Sequence, residues 1–294
     1  MKKFIVFLLL VISKYTFAQD DLLSGLEGTI EFHKEYVKNA FKSTRVVNGQ
    51  SMELLGKGVL DTRILHRFGL INSGIGNLYG LDQASMRIGF DYGISNRFMI
   101  GIGRSNVGKE YDGYIKFRPI WQSTGGIINS PISVILVTGM TVQTLPWANP
   151  DRINYFSSRI SFFNQIIIGR KFTESFSLQV SPTMVHINMV PLKTDSNNIY
   201  ALGIGSRIKL SKRTAFVIDY HYIVNGLDMT KYKNPLSVGF DIETGGHVFQ
   251  LHFSNSTGMN EKAFITNTTN DFMKGEIRFG FNLSRVFTAY KPKN

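Results

Sequence analysis

The sequence predicts an all-β protein, an antiparallel transmembrane β-barrel of about 12 strands, with ten to fourteen possible. Three observations predict it. Short segments alternate apolar and polar side chains, the joints between these segments are alternately short and long, and an export signal precedes them all.

The first 18 residues have the layout of a secretory signal peptide. Lys2 and Lys3 are followed by the apolar run FIVFLLLVI (4–12) and by small residues that end at Ala18. This run is too short to cross a bilayer as a helix, which needs about 20 residues. We therefore expect cleavage after Ala18 and, for a β-barrel, placement in the cell outer membrane of a Gram-negative bacterium.

Residues 19–57 form an N-terminal extension that differs from the rest. Apolar side chains recur at spacings of three or four between Leu22 and Phe41, which predicts a short amphipathic helix within 20–44, interrupted by glycines. Residues 45–57 are expected to be irregular. The extension could enter the barrel as a plug, lie beneath it in the periplasm, or bind a periplasmic partner, and the sequence leaves these three open.

Residues 58–290 have a hydropathic period of two, as in LDTRILHRF (60–68) and IRFGFNLS (277–284). Most of the periodic segments reach the ~9–11 residues that a tilted membrane strand needs. The predicted strands lie near 58–69, 84–94, 97–105, 110–122, 132–144, 153–171, 175–188, 199–210, 213–224, 235–243, 247–255 and 275–289.

The joints support a barrel with short turns at one end and longer loops at the other. They are short after the second, sixth, eighth and tenth strands and longer after the first, fifth, seventh, ninth and eleventh. Two joints depart from this alternation, since 106–109 is short and 123–131 is long.

The composition of the apolar face favours lipid over the dry core of a soluble β-sandwich. That face is rich in Phe, Tyr, Ile, Met and Leu, and its charged residues, Arg104, Arg170 and Arg285, lie near strand ends, where they cost least. The net charge of +12 is scattered along the chain. The expected partners are therefore outer-membrane lipid and lipopolysaccharide, with a possible periplasmic protein partner, rather than nucleic acid.

Several runs resemble a family of membrane-bound β-barrels found mainly in Bacteroidetes-type bacteria and catalogued as domain of unknown function number 5777. The longest are FKSTRVVNGQSMELLGKGVLDTRILHRFG (41–69) and GFDIETGGHVFQLHFSNSTGMNEKAFIT (239–266). The runs NLYGLDQASMRIGFDYGI (77–94), GIGRS (101–105) and YALGIGSRIKLSKR (200–213) resemble it as well. The resemblance covers about 41–289 and implies a barrel, but no activity.

The lumen, the interior of the barrel, is the place for any chemistry. Alternation assigns to it the candidates Arg63, Arg67, Arg87, Asp91, Asp112, Lys116, Arg118, Arg159, Arg207, Asp219, His221, Asp241, Glu243, His252, Glu276 and Arg278. Basic residues outnumber acidic ones in this set, which favours a weak anion preference. Gly101, Gly103, Gly203 and Gly205 are expected on the same face, where they leave room for bulky neighbours or a plug.

The function expected from these features is a passive, weakly anion-preferring pore for small solutes, porin-like in form. The alternative is a non-conducting scaffold that binds a periplasmic or surface partner, because twelve strands can also enclose a closed or plugged interior.

No catalytic, cofactor-binding or metal site is expected, and the protein is not expected to be an enzyme. His252, Ser254 and Asn255 are close in sequence, but nothing marks an activated nucleophile. His247 and His252 fall on opposite strand faces, which argues against zinc. The G-x-G runs lie inside strands and not at a strand-to-helix turn, which argues against a phosphate-binding loop.

Overall fold

A computed structural model describes residues 33–290 of the 294-residue chain. Twelve antiparallel strands in this range form a closed barrel, which confirms the predicted fold class and strand number. The signal peptide and residues 19–32 lie outside the described residues. The strands are β1 (Val59–Leu70), β2 (Ala84–Ser95), β3 (Phe98–Ser105), β4 (Glu110–Ile120), β5 (Ser133–Gln143), β6 (Ile160–Lys171), β7 (Phe176–Ile187), β8 (Asn198–Lys209), β9 (Thr214–Asn225), β10 (Leu236–Thr244), β11 (His247–Ser254) and β12 (Arg278–Thr288).

Each strand pairs with the next one along the chain, and β12 pairs with β1 to close the sheet. In the closing pair, Leu283 lies opposite Ile64 and Asn282 opposite Leu65. Closure leaves no strand edge unpaired, which a sheet surrounded by hydrocarbon requires because lipid offers no hydrogen bonds to free backbone groups.

Side chains alternate between the two faces of the wall as the sequence predicts. In β1, Asp61, Arg63, Leu65 and Arg67 are buried inside the barrel, and the residues between them face outward. Large hydrophobic side chains are exposed on the outer surface of nearly every strand. The charged rows therefore lie inside and the apolar rows outside, the reverse of a soluble β-sandwich.

The outward-facing arginines lie near strand ends beside aromatic rings. Arg104 is 5.5 Å from the ring centre of Tyr111, and Arg285 is 4.8 Å from that of Phe287. Arg170 lies beside Phe172 in the same way. These positions suit the aromatic girdles that mark the two membrane interfaces of a barrel.

The two ends of the barrel differ in the length of their connections. The short-turn end has two-residue joints at 96–97 and 245–246, and the chain enters and leaves the barrel there. The long-loop end has the joints 71–83, 144–159, 188–197, 226–235 and 255–277. The two expected departures from the alternation are present, since the joint 106–109 at the long-loop end is short and the joint 121–132 at the short-turn end is long. Short 3₁₀ turns lie at Ile71–Ser73, Ile75–Gly80, Val107–Lys109, Phe156–Arg159 and Phe272–Lys274.

Two predicted elements differ from the structure. The sixth strand begins at Ile160 and not near 153, because residues 156–159 form a 3₁₀ turn before it. The predicted helix does not appear in residues 33–44, where Glu35–Tyr36 instead pairs with Ser123–Thr124 in a short ribbon at the short-turn end.

The described residues contain one α-helix, α1 (Glu261–Asn267), which belongs to the long loop between β11 and β12. Asn260 caps its first turn by accepting a hydrogen bond from the Ala263 amide at 2.8 Å. No helix within residues 33–290 is both long and apolar enough to cross a membrane.

The occupied lumen as the candidate functional site

Strands β1, β2 and β4 line the lumen with buried charged side chains, some of which form ion pairs within the wall. Arg87 binds Asp112 through two hydrogen bonds, the one from Nε to Oδ1 measuring 2.8 Å, and both side chains are shielded from solvent. A Cβ atom on Gly103 would collide with the guanidinium of Arg87. Gly103 therefore provides the space for this ion pair, as expected for a glycine on the lumen face.

A second charged group in the same sector contains Arg63, Asp61 and Asp91. Arg63 lies 2.6 Å from Asp61 and 3.8 Å from Asp91, measured between nitrogen and oxygen. The Tyr114 hydroxyl donates to Asp91 at 2.6 Å. A buried charge is tolerated when it is paired and hydrogen-bonded, so this network is a stable part of the wall.

Residues 40–55, which we call the plug, lie within the lumen. Their centre is a tight hairpin in which Arg45 pairs with Gln50 and the Val46 amide donates to the Gly49 carbonyl at 2.8 Å. The hairpin tip is held by Asp219 of β9, which accepts from the amides of Val47, Asn48 and Gly49 at 3.2, 2.7 and 2.8 Å. One wall carboxylate thus satisfies three backbone donors of the plug.

Three basic wall residues bind oxygen atoms of the plug. Lys116 Nζ donates to the carbonyl oxygens of Thr44 and Glu53 at 3.1 and 2.7 Å. Arg118 donates to the Met52 carbonyl at 2.9 Å, and Arg67 donates to Asn48 Oδ1 at 2.6 Å. The plug therefore satisfies three cations that have no acidic partner on the wall within 4 Å.

Strands β5–β7 line the lumen with uncharged side chains, apart from Lys171 at the short-turn end of β6. Ile135, Phe163, Ile167 and Val185 are 0–2% exposed and form one hydrophobic cluster with Val46 and Met52 of the plug. Gln179 adds two hydrogen bonds to this side of the plug: its Oε1 accepts from the Met52 amide at 2.8 Å, and its side-chain amide donates to the Gln50 carbonyl at 2.7 Å.

The 255–277 loop enters the lumen from the long-loop end and meets the plug. Glu261 of α1 accepts hydrogen bonds from Arg45 at 2.7 Å and from Gln50 at 3.0 Å, and Arg45 and Glu261 are both almost fully buried. Phe264 lies 4.8 Å from the ring of His221, and Lys262 binds Glu110 of β4 at 2.7 Å. Chain segments from the two ends of the barrel thus touch each other inside it.

The candidate residues lie in two kinds of place. Twelve are buried in the lumen wall, at 6% exposure or less: Arg63, Arg67, Arg87, Asp91, Asp112, Lys116, Arg118, Arg207, Asp219, His221, Asp241 and His252.

The other four lie near the barrel ends. Arg159 is in a 3₁₀ turn, 3.7 Å from the ring centre of Trp147, and Glu243 binds Lys42 at 2.7 Å near the short-turn end. Glu276 precedes β12 and binds the Asp271 amide, whereas Arg278 is half-buried at the start of β12.

Sequence reasoning missed several lumen residues. Asp61 and Glu110 follow the alternation but were not among the candidates, and both are buried and paired. Arg45 and Glu261 lie outside the periodic strands, so strand periodicity carries no signal for them. The Asn48–Gly49 pair is a hairpin signature that indicates the turn of the plug, although not its place.

The residues with possible catalytic chemistry are not arranged as a catalytic unit. Ser254 accepts from Ser237 at 2.8 Å and does not hydrogen-bond to His252, whose ring nitrogens have no partner within the described chain. No group of three or more potential metal ligands occurs among residues 33–290. Gly203 and Gly205 lie inside β8, where a Cβ would contact His221 and the plug residue Val46 at 2.9 and 2.8 Å.

A closed barrel with an apolar outside and a charged inside defines a membrane β-barrel protein. A family model for the membrane-bound β-barrel domain DUF5777 matches residues 41–287, so the chain belongs to this family and the resemblance is confirmed. The matched range begins at Phe41 and therefore includes all of the plug except Ala40.

Among solved structures, the chain is similar to the NanC porin, with 8% identity, a TM-score of 0.49, and coverage of 77% of this chain and 98% of that chain. The KdgM porin is 10% identical, with a TM-score of 0.47 and coverage of 78% of this chain and 99% of that chain. An outer-membrane channel from Pseudomonas putida F1 is 11% identical, with a TM-score of 0.44 and coverage of 81% of this chain and 98% of that chain. At these identities the likeness concerns the fold alone. No curated protein matches the chain in sequence.

Proposed function

We propose that the protein is a gated barrel of the Gram-negative outer membrane, embedded in outer-membrane lipid and lipopolysaccharide. Its lumen is closed while the plug is docked, and a small solute crosses when the plug moves. The short-turn end then faces the periplasm and the long-loop end faces outward, as in other barrels of this membrane.

One observation carries the proposal: Arg45 and Gln50 of the plug bind Glu261 of the outer loop inside the lumen. Segments from the two ends thereby block the same interior. The plug is attached to Asp219 and Lys116 by hydrogen bonds, and water can replace these bonds when the plug leaves.

The proposed solute preference is weakly anionic. Arg67, Lys116 and Arg118 would lose their plug acceptors on opening, and none of the three has a wall carboxylate within 4 Å among residues 33–290. Of the acids that bind the plug, Asp219 remains 2.9 Å from His221 and Asp91 remains bonded to Tyr114, whereas Glu243 and Glu261 lose Lys42 and Arg45. An emptied lumen would therefore present three cations against two acids that have lost their plug partners, an excess that favours anions weakly.

Conductance across planar bilayers tests the gate, and the absence of native cysteine allows a clean disulfide lock. A Cβ on Gly205 would lie 2.8 Å from Val46 Cγ2, so the pair Val46→Cys and Gly205→Cys is placed to join plug and wall. We expect no openings when this variant is oxidised and discrete openings after reduction. The Gly205→Cys single variant, which has the same added side chain on the wall, is the control and should respond to neither treatment. Equal conductance of the locked and reduced forms would overturn the gate.

The second candidate function is a non-conducting scaffold for a surface partner. It is favoured by apolar side chains at the long-loop end, where Ile75 and Ile153 are 77% and 78% exposed and Tyr155 is 67% exposed. This function would be favoured over the gate if three proteins gave no channel openings: the parent, the reduced double-cysteine variant and an Arg45→Ala variant. Heat-modifiability gels would show that each of them is folded. A periplasmic partner would bind at the short-turn end.

A further inference from the structure

A pocket with a volume of about 290 Å³ lies at the short-turn end, between the plug and the barrel wall. The plug contributes Glu53 and Leu54 to its lining. The wall contributes Arg118 of β4, Trp121 just after that strand, and Asn96 from the short joint between β2 and β3. Ligand sites typically measure ~300–1,000 Å³, so this pocket suits a small molecule.

The guanidinium of Arg118 has hydrogen-bond donors that the protein does not use. Its side chain is only 3% exposed, and Nη2 donates to the Met52 carbonyl at 2.9 Å. Nε is buried without a partner, and Nη1 forms no hydrogen bond within residues 33–290. Glu53 does not use these donors, because one carboxylate oxygen is 3.8 Å from Nη2 and the other accepts from the Ala40 amide at 2.6 Å. A buried cation with unused donors favours an anionic acceptor beside it.

Aromatic rings hold this guanidinium in position. Arg118 lies 4.2 Å from the ring centre of Trp121, and Tyr36 stacks on Trp121 with the ring centres 4.7 Å apart. Arg97 lies 5.7 Å from the ring centre of Tyr36 and extends the stack. The Trp121 indole N–H donates to the Val37 carbonyl at 2.7 Å, which fixes the ring. A ligand therefore meets a cation that is already ordered, which reduces the entropic cost of binding.

Lys38 and Asn96 add further donors to the pocket. Lys38 is exposed, and its ammonium forms no ion pair within the described part of the chain. Asn96 accepts from the Lys57 amide at 3.2 Å through Oδ1, and its side-chain nitrogen donates to no group in residues 33–290. Two cations, Arg118 and Lys38, thus share the pocket with one carboxylate, Glu53. The pocket has a net positive charge, which selects an anionic ligand.

We propose that this pocket binds a small organic carboxylate, whose oxygens accept charge-assisted hydrogen bonds from Arg118 and Lys38. Leu54, Leu55 and Trp121 also line the pocket and suit a short apolar body, which an inorganic anion lacks. The ligand touches plug and wall at once, so it adds contacts that hold the plug in its docked position. Binding takes place in the closed barrel and does not depend on passage of a solute through the lumen.

Trp121 provides a fluorescent reporter inside the pocket, because the chain has only two tryptophans. Trp147→Phe removes the other one, which lies in the 144–159 loop at the opposite end. Titration of this variant with benzoate in detergent micelles should change the Trp121 fluorescence saturably, whereas the uncharged analogue benzamide should give no saturable change. The proposal would be overturned by a folded protein without a benzoate response, by an equal response to benzamide, or by inorganic phosphate competing as well as benzoate does.

Three further substitutions in the Trp147→Phe protein assign the binding residues. Arg118→Gln should raise the benzoate concentration for half-saturation about tenfold or more, and Lys38→Gln should raise it about threefold, because solvent screens an exposed charge. The matched control is Lys212→Gln, an exposed lysine at the same end that does not border the pocket, which should leave the concentration unchanged.

Heat-modifiability gels establish that each variant is folded. Lys38→Gln decides the test if Arg118→Gln does not fold, because the Lys38 side chain forms no hydrogen bond within the described residues that the substitution could remove. Benzoate binding like that of the parent in the folded pocket variants would overturn the proposal. A loss in Lys212→Gln as large as that in Lys38→Gln would also overturn it, since it would indicate a diffuse attraction to the basic end of the barrel.

Discussion

The lumen wall contains two sectors that hold the same plug by different means. Strands β1–β4 present ion pairs such as Arg87–Asp112, and their basic residues donate to plug carbonyls. Strands β5–β7 present apolar side chains such as Ile167 and Phe163, against which Met52 packs. The same alternating strand pattern can therefore hold a plug by hydrogen bonds and ion pairs or by apolar packing. The two sectors differ only in the identity of the inward-facing residues, which are every second residue of each strand.

The largest expected effect comes from breaking an ion pair in the charged sector. Arg87→Met should lower the free energy of unfolding by about 3–5 kcal/mol, since it leaves Asp112 buried without its partner. The measurement is urea unfolding in detergent micelles, followed by fluorescence. Adding Asp112→Leu to the same chain should restore most of the loss. A single variant as stable as the parent would show that this sector is not held by charge pairing.

A packing defect in the uncharged sector should cost somewhat less. Ile167→Ala removes a side chain that is fully buried in the hydrophobic cluster, and we expect a loss of about 2–4 kcal/mol in the same unfolding assay. Ile168→Ala is the matched control, because Ile168 faces outward where lipid can fill the space. Equal losses for the two variants would mean that the inner cluster contributes no more than the lipid-facing surface.

An added methyl group at the plug should have a moderate effect that reports on both sectors. In Gly205→Ala the new Cβ would lie 2.8 Å from Val46 and 3.0 Å from Gln179, which predicts a loss of about 1–3 kcal/mol and more frequent channel openings. Gly113→Ala, with its nearest atom 3.8 Å away, should change neither quantity. Unaltered stability and conductance in Gly205→Ala would contradict close contact between plug and wall.

The smallest expected effect concerns an arginine outside the lumen. Arg104→Gln removes a cation beside Tyr111 near the outer rim, where a charge costs or gains at most about 1 kcal/mol. The free energy of unfolding of Arg104→Gln should therefore stay within about 1 kcal/mol of the parent value, in contrast to that of Arg87→Met. A loss as large as that of Arg87 would place this arginine in a structural role that its exposed position does not indicate.

Most of the barrel could be predicted from the sequence, because the inside-outside alternation of a strand is local. The period of two gave eleven of the twelve strand starts to within three residues, and it failed only where Tyr155 and Phe156 mimic a strand before a 3₁₀ turn. Glycines of β3 and β8 were predicted to leave space, and the structure places Arg87 and Val46 there.

The contents of the lumen could not be predicted in the same way. The plug is held largely through its backbone, as in the three amides bound by Asp219, and backbone groups leave no trace in residue identity. Glu261 and Arg45 are 216 positions apart, so their pairing depends on tertiary structure alone. The local sequence pattern therefore predicts the strands of the barrel wall, but not the plug and loop that fill the lumen.

The first and last strands share a point of attachment. Asn282 of β12 donates to the Val47 carbonyl at 3.1 Å, and Arg67 of β1 bonds both to Asn282 at 3.0 Å and to Asn48. These two strands are the first and the last in sequence, and their pairing closes the barrel. The N-terminal hairpin thus bonds to both strands at the place where the barrel closes, so a change that displaces the hairpin also removes hydrogen bonds from the closing pair of strands.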